Sequence, residues 1–141
     1  MRLALQLVGL LLASQPLRAQ DSLPPVVHDG LEQMLAGHSD SAFLGWTAAF
    51  NAEQRQSMMD AVPVFDRTCV KVVGYDVLKI VSLSPHLRRA YFLIRCQSQP
   101  LYLSFVLYQG AGPWAVTTIN WQSDPDQLLP PSLFGAQRPR P

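Results

Sequence analysis

Three carboxylates, Asp60, Asp66 and Asp76, are the side chains of this sequence best suited to acid–base chemistry. A carboxyl group enclosed by apolar side chains holds its proton to higher pH and can then act near neutrality. Tyr75, Tyr91 and Asn120 could donate hydrogen bonds into such an enclosure, although buried strand tyrosines usually do so for structural reasons. The spacing favours ordinary roles: Asp60 falls at a helix end, Asp66 in a turn and Asp76 inside a strand. His28, His38 and His86 lie far apart at helix or turn positions, without metal-ligand spacing. His86, beside Arg88 and Arg89, reads as a solvated hairpin tip. The sequence has no phosphate-cradling glycine loop, HExxH, CxxC, GxSxG or calcium loop. No catalytic residue, metal site or cofactor is therefore assigned.

The remaining reactive groups are two cysteines, Cys69 and Cys96. Neither has a neighbouring histidine or an oxyanion-type glycine loop, so a nucleophilic thiol is not expected. In an oxidising compartment such a pair is expected to form a disulfide, with two separate buried thiols as the alternative. The loop closed would hold 28 residues with both ends counted, which stabilises by roughly 3.6 kcal/mol in the chain-entropy account.

The compartment follows from the first 19 residues. Arg2, the apolar run Leu3 to Ala13, and Leu17-Arg18-Ala19 have the layout of a signal peptide cut after Ala19. The run is about half the roughly 20 residues that span a bilayer, and no later segment is longer. A secreted or periplasmic protein without a membrane span after cleavage is expected. The mature 122 residues are one domain's worth. Cleavage removes Arg2 and Arg18 from the 11 basic residues, leaving nine against 10 acidic ones. With no basic stripe, nucleic-acid binding is not expected.

Residues 20–25 read as an extended leader, 26–136 as a single α+β domain and 137–141 as a flexible Pro/Arg tail. From Val26, the apolar positions Val27, Leu31, Met34 and Leu35 share one helical face. Gly37 and Ser39-Asp40 end this helix and begin another, with Asp40 as N-cap. Phe43, Trp46, Thr47 and Phe50 form its stripe. Asn51 and Gln54 read as a capping box opening a third helix with Met58, Met59 and Val62 on its apolar side. Pro63 is expected to stop it.

The rest predicts four strands: Val70–Ser82 with an interruption at Gly74, Arg88–Ser98, Leu101–Tyr108 and Trp114–Trp121. Connections this short force an antiparallel meander. With the second turn between Ser98 and Gln99, Cys96 faces Leu101, Ile94 faces Leu103, Phe92 faces Phe105 and Ala90 faces Leu107. Alternate residues share a face, so this set is nearly all apolar, and Ala115, Thr117, Ile119 and Trp121 extend it. The helices should cover this side. The fold class expected is α+β, with N-terminal helices on one face of a twisted four-stranded antiparallel meander.

Two groups of residues follow as binding candidates. Trp46, Phe50, Phe92, Phe105 and Trp121 are either core or the lining of a pocket for a small apolar ligand. Tyr91, Tyr102, Val106, Tyr108, Trp114 and Val116 fall on the opposite face. They are either scattered surface hydrophobics or a partner face for a homodimer or an envelope protein.

The order of helices and strands, the run Ala90-Tyr91-Phe92-Leu93-Ile94, and Gly112-Pro113-Trp114-Ala115-Val116-Thr117-Thr118-Ile119 resemble the sheet of nuclear-transport-factor-2-like domains. Those are cone-shaped, cystatin-like α+β folds related to ketosteroid isomerase. The resemblance spans Leu31 to Phe134 and implies a pocket between sheet and helices, with dimerisation through the outer sheet face. The family's enzymes use a carboxylate base and a tyrosine, which do not map onto residues here. The expected function is an exported non-enzymatic ligand-binding or assembly module, acting as a dimer. The alternatives are an isomerase, hydratase or lyase with Asp60, Asp66 or Asp76 as base, and an inhibitor or accessory subunit working through a sheet edge.

Overall fold

The computed structural model describes residues 22–135. The expected signal peptide 1–19, positions 20–21 of the leader, position 136 and the tail 137–141 lie outside the described residues. Three helices precede a sheet: α1 (Pro25–Leu35), α2 (Ser39–Trp46), α3 (Ala52–Cys69), then β1 (Val72–Ser84), β2 (Leu87–Cys96), β3 (Pro100–Tyr108) and β4 (Ala115–Gln122). All neighbours are antiparallel, in the order β1-β2-β3-β4. Short 3-10 turns, Pro125–Gln127 and Pro131–Phe134, follow. The helices pack on one face of the sheet, the α+β arrangement expected.

The leader is shorter than expected, because Pro25 opens α1. Proline suits a first helical turn: its φ is preset and its missing N–H would have had no partner there. Val27, Leu31 and Met34 form the buried stripe. α2 also starts earlier than expected, with His38 rather than Asp40 at the N-cap position. Asp40 sits in the first turn instead, where the helix dipole favours an anion. The capping box on α3 is present: Asn51 Oδ1 accepts from the Gln54 N–H at 2.8 Å, and Gln54 Oε1 accepts from the Asn51 N–H at 3.3 Å.

Pro63 does not end α3, which runs six residues further to Cys69. Continuing through the proline keeps Val62, Phe65 and Cys69 on one buried face. Phe65 meets Phe43 and Trp121 edge to face at 5.7 and 5.6 Å. Burying an aromatic ring contributes about 3 kcal/mol, comparable to the penalty of an interior proline. Replacing exposed Pro63 by Ala should restore a backbone hydrogen bond and raise stability by about 1–2 kcal/mol, the loss of a rigid unfolded chain offsetting part of the gain. A urea titration checks this; an unchanged or lower midpoint would show that the proline sits in α3 without strain.

The α3–β1 junction is closed by the Cys69–Cys96 disulfide, with Cα atoms 5.0 Å apart. Ser98 Oγ donates to the Thr68 carbonyl at 2.7 Å, and the Gln97 N–H donates to the Lys71 carbonyl at 2.8 Å. Between them Val70 has φ 63° and ψ −58°, with the Lys71 N–H donating to the Cys69 carbonyl at 2.7 Å. This is a γ-turn, a strained conformation for a β-branched residue.

Strand β1 slips register around Val73, Leu78 and Leu83. The first slip adjoins Gly74, where an interruption was expected. All three extra residues are exposed, and such bulges together with Lys79 blunt an open sheet edge. In the β2–β3 pair Ile94 faces Leu101, Phe92 faces Leu103 and Ala90 faces Phe105, two residues displaced from the expected register. Arg95 opposite Pro100 places the turn one residue earlier, and Cys96 faces Val72. An even displacement leaves every side chain on its face. Leu101, Leu103, Phe105 and Leu107 are accordingly fully buried toward the helices.

Strand β4 corrects the expected pattern. Leu107 faces Val116 but Val106 faces Thr118, so Thr117 is an extra residue. Its Oγ1 donates to the Val106 carbonyl at 3.3 Å. Ile119 and Trp121 keep their places toward the helices, opposite Phe105 and Leu103. Before the bulge the alternation is reversed: Val116 is buried in the core and Trp114 packs against it. Neither belongs to the outer face to which alternation assigned them.

Candidate functional site

The five aromatic residues expected around a pocket do not enclose one together. Trp46, Phe92 and Phe105 are fully buried, joined edge to face at 4.8 Å (Trp46–Phe105) and 5.6 Å (Phe92–Phe105). Phe50 and Trp121 pack at the margin of this core. Such centroid distances are those of close-packed rings.

A cleft of about 430 Å³ opens at one end of this stack, with Trp46 in its wall. Pro25 and Val26 line it from the start of α1, Gly45 from α2, and Ala48 and Ala49 from the loop before α3. Pro113 and Trp114 line it from just before β4, and Val116 from the start of β4. The lining is almost wholly apolar. Its room comes from residues without bulk: a Cβ at Gly45 would meet no atom of the described residues within 4 Å.

The loop carrying Ala48 and Ala49 is held by one arginine. Arg55 Nε donates to the Thr47 carbonyl at 3.2 Å, and its Nη2 donates to the carbonyls of Ala48 at 3.0 Å and Phe50 at 3.4 Å. Thr47, itself buried, donates from Oγ1 to the Phe43 carbonyl at 2.7 Å. The loop carbonyls are thereby satisfied, and the wall is formed before any ligand arrives. Nothing in the spacing of Gly45, Ala48 and Ala49 marks a site; small residues after an aromatic stripe are the only trace.

Trp114 is fixed from the sheet side. Arg88 shares its face, 8% exposed, with its guanidinium carbon 4.3 Å from the Trp114 ring centroid. His86 is exposed at the hairpin tip, whereas Arg88, two residues on, is buried. A desolvated cation over an indole is worth up to about 2 kcal/mol, which helps offset its Nε having no hydrogen-bond partner among the described residues.

The candidate acids lie elsewhere. Asp60 is exposed on α3, accepting from Gln56 Nε2 at 2.8 Å. Asp66 is exposed on α3, bordering a separate cleft with Cys69 and Val70. Asp76 Oδ2 forms an ion pair with Arg95 Nε at 3.4 Å, both side chains half exposed. None lies in an apolar enclosure or borders the cleft beside Trp46. Tyr75 donates to Glu32 Oε1 at 3.2 Å. Burial first, then the Glu32 hydrogen bond and charge, raises the phenol pKa above its ordinary value, so this α1–β1 contact is lost only as pH rises through the alkaline range. His28 lies on α1 beside Asp29 and Glu32, His38 occupies the N-cap position of α2 without a side-chain capping bond and His86 is at the β1–β2 turn. Among the described residues no group of three His, Cys, Asp or Glu could hold a metal ion, and no helix is long and apolar enough to cross a membrane.

Of the expected partner face, Tyr102 and Val106 are half-buried and Tyr108 is exposed. Tyr91 points the same way yet is 5% exposed. Trp114 and Val116 belong to the helix side, as described above. No protein-family model matches the chain, no curated protein matches it in sequence, and no solved structure matches it in fold.

Proposed function

We propose that this chain is an exported, non-enzymatic ligand-binding module of the cell envelope that holds a small, neutral, ring-containing compound between the α2–α3 loop and β4. The observation that carries this reading is the preformed apolar cleft of about 430 Å³, flanked by Trp46 and Trp114. Ligand sites are typically concave, apolar and formed in advance. Export is supported by the leader-like first 19 residues and by the Cys69–Cys96 bond, since structural disulfides persist outside reducing compartments. A distant place in the nuclear-transport-factor-2-like superfamily is part of the reading; its support is the order of helices before an antiparallel meander. Pairing with a second copy or an envelope protein through the outer face now rests on Tyr102, Val106 and Tyr108. The isomerase, hydratase or lyase reading draws no support from the exposed Asp60, Asp66 and Asp76.

Gly45→Leu tests the proposal. Gly45 lines the cleft and a Cβ there meets no atom of the described residues within 4 Å, so a leucine is expected to fill part of the space, and replacing a helical glycine adds about 0.5–1 kcal/mol of stability. Neutral aromatic probes such as indole and naphthol should raise the Tm of the natural protein by linkage. They should lose that effect on the variant, although it folds. Equal shifts on both proteins, or none on the natural one, would rule out this cleft.

A further inference from the structure

On the opposite side of the sheet, polar side chains converge on a second cleft, of about 280 Å³. Its floor is the cross-strand row Tyr91, Ser104 and Asn120, since Tyr91 faces Ser104 and Ser104 faces Asn120. Neighbouring strands lie about 4.8 Å apart, so this row presents three hydrogen-bonding groups in line. Arg89 and Val106 face each other in the adjacent row, and Gln122 lies two residues beyond Asn120. Gln127 and Leu128, from the segment after β4, form a wall.

Tyr91 and Ser104 are only 5% and 9% exposed, and both lie outside the main core cluster. Neither hydroxyl hydrogen-bonds to any other group among the described residues, and neither is sealed from the cleft. Polar groups at such depth normally have partners. Arg89 has no carboxylate within ion-pair distance among the described residues, and a second cation, Lys79, faces Tyr91 from β1. Of the nearby acids, Asp124 is turned into its own segment: Oδ1 accepts from the Asp126 N–H at 2.9 Å, and Oδ2 from Gln127 Nε2 at 3.5 Å.

We propose that this outer-face cleft binds a small polyhydroxylated carboxylate, of the sugar-acid class, with Arg89 on the carboxylate and the Tyr91–Ser104–Asn120 row on its hydroxyls. The guanidinium fork matches a carboxylate in two parallel hydrogen bonds. Inorganic phosphate would fill the fork equally well but would leave the Tyr91–Ser104–Asn120 row without the hydroxyl partners that a polyol body supplies. Hydroxyls and side-chain amides both donate and accept, as do the hydroxyls of a polyol. The volume admits a monosaccharide-sized molecule. This site is independent of the apolar cleft on the helix side.

Calorimetric titration of the protein with glucuronate and gluconate, against glucose and inorganic phosphate, tests it. Saturable binding is expected for one or both carboxylates at millimolar or lower concentration, with glucose and phosphate weaker. Arg89→Gln is expected to weaken the carboxylate by about tenfold or more and to remove the preference over glucose. Tyr91→Phe keeps the ring buried and should weaken it several-fold. Stronger binding of phosphate would assign the cleft to another anion and overturn the proposal. So would no saturable binding of either carboxylate, or binding unchanged in both variants. Indole bound by the Arg89→Gln protein as by the natural one would show the fold intact and keep the two clefts separable.

Discussion

Gly30→Ala is expected to lower the stability of this protein by about 3 kcal/mol, near the upper end for inserting a methyl group into a packed interior. A Cβ at position 30 would overlap the indole Nε1 and Cε2 of Trp46. The indole cannot swing aside, because Phe43 and Phe105 hold it edge to face at 5.3 and 4.8 Å. Relief requires α1 to move off α2, which would expose Val27, Leu31 and Met34, all now buried. For a domain of this size the melting temperature should fall by about 10–15 °C. Gly45→Ala is the matched control, since its Cβ meets no atom of the described residues within 4 Å. Trp46→Leu in the Gly30→Ala background should return part of the loss, a coupling that a double-mutant cycle measures. A Gly30→Ala protein melting within about 2 °C of the natural one would refute the close α1–Trp46 contact.

The second large effect is expected at the disulfide. Replacing Cys69 and Cys96 together by Ala should cost about 2–5 kcal/mol, since the bond closes a long loop between the end of α3 and the end of β2. Chemical denaturation of both proteins measures the difference. The strained γ-turn at Val70 sharpens the test. Val70→Gly relieves a conformation that glycine accepts readily and should add about 1 kcal/mol to the natural protein. In the Cys-free background the turn is no longer forced by the bond, so the same change should add less. Equal gains in both backgrounds would mean that the Ser98 and Gln97 hydrogen bonds, rather than the disulfide, hold the turn. A Cys-free protein as stable as the natural one would mean that the bond constrains nothing that packing does not already secure.

Much of the architecture was legible one residue at a time. The capping box at Asn51 and Gln54, the apolar stripe Val27, Leu31 and Met34, and the alternation of Leu101, Leu103, Phe105 and Leu107 depend on neighbours a few positions away. The Cys69–Cys96 bond was legible from the even number of cysteines and the compartment expected for the chain. These signals place the helices on one side of an antiparallel meander without reference to any distant contact. The clefts were not legible, since their walls are small residues such as Ala48 and Ala49 or polar ones such as Arg89 and Gln127. No local rule sets these apart from ordinary surface.

Where the reading went astray, the deciding partner was remote in the chain. Pro63 ends a helix judged on its own, yet α3 continues because Phe65 and Cys69 have places to fill against α2, β4 and β2. Strict alternation sent Trp114 and Val116 outward; one unpaired residue, Thr117, turned them toward the helices and gave the apolar cleft its second tryptophan. Arg88 follows a wet hairpin tip in the sequence, and its burial depends on Trp114 being brought over it. Periodicity and capping are short-range and survive in the linear chain. Bulges, persistence through a proline and the burial of a charge are settled by which surfaces meet, and that depends on the packed whole.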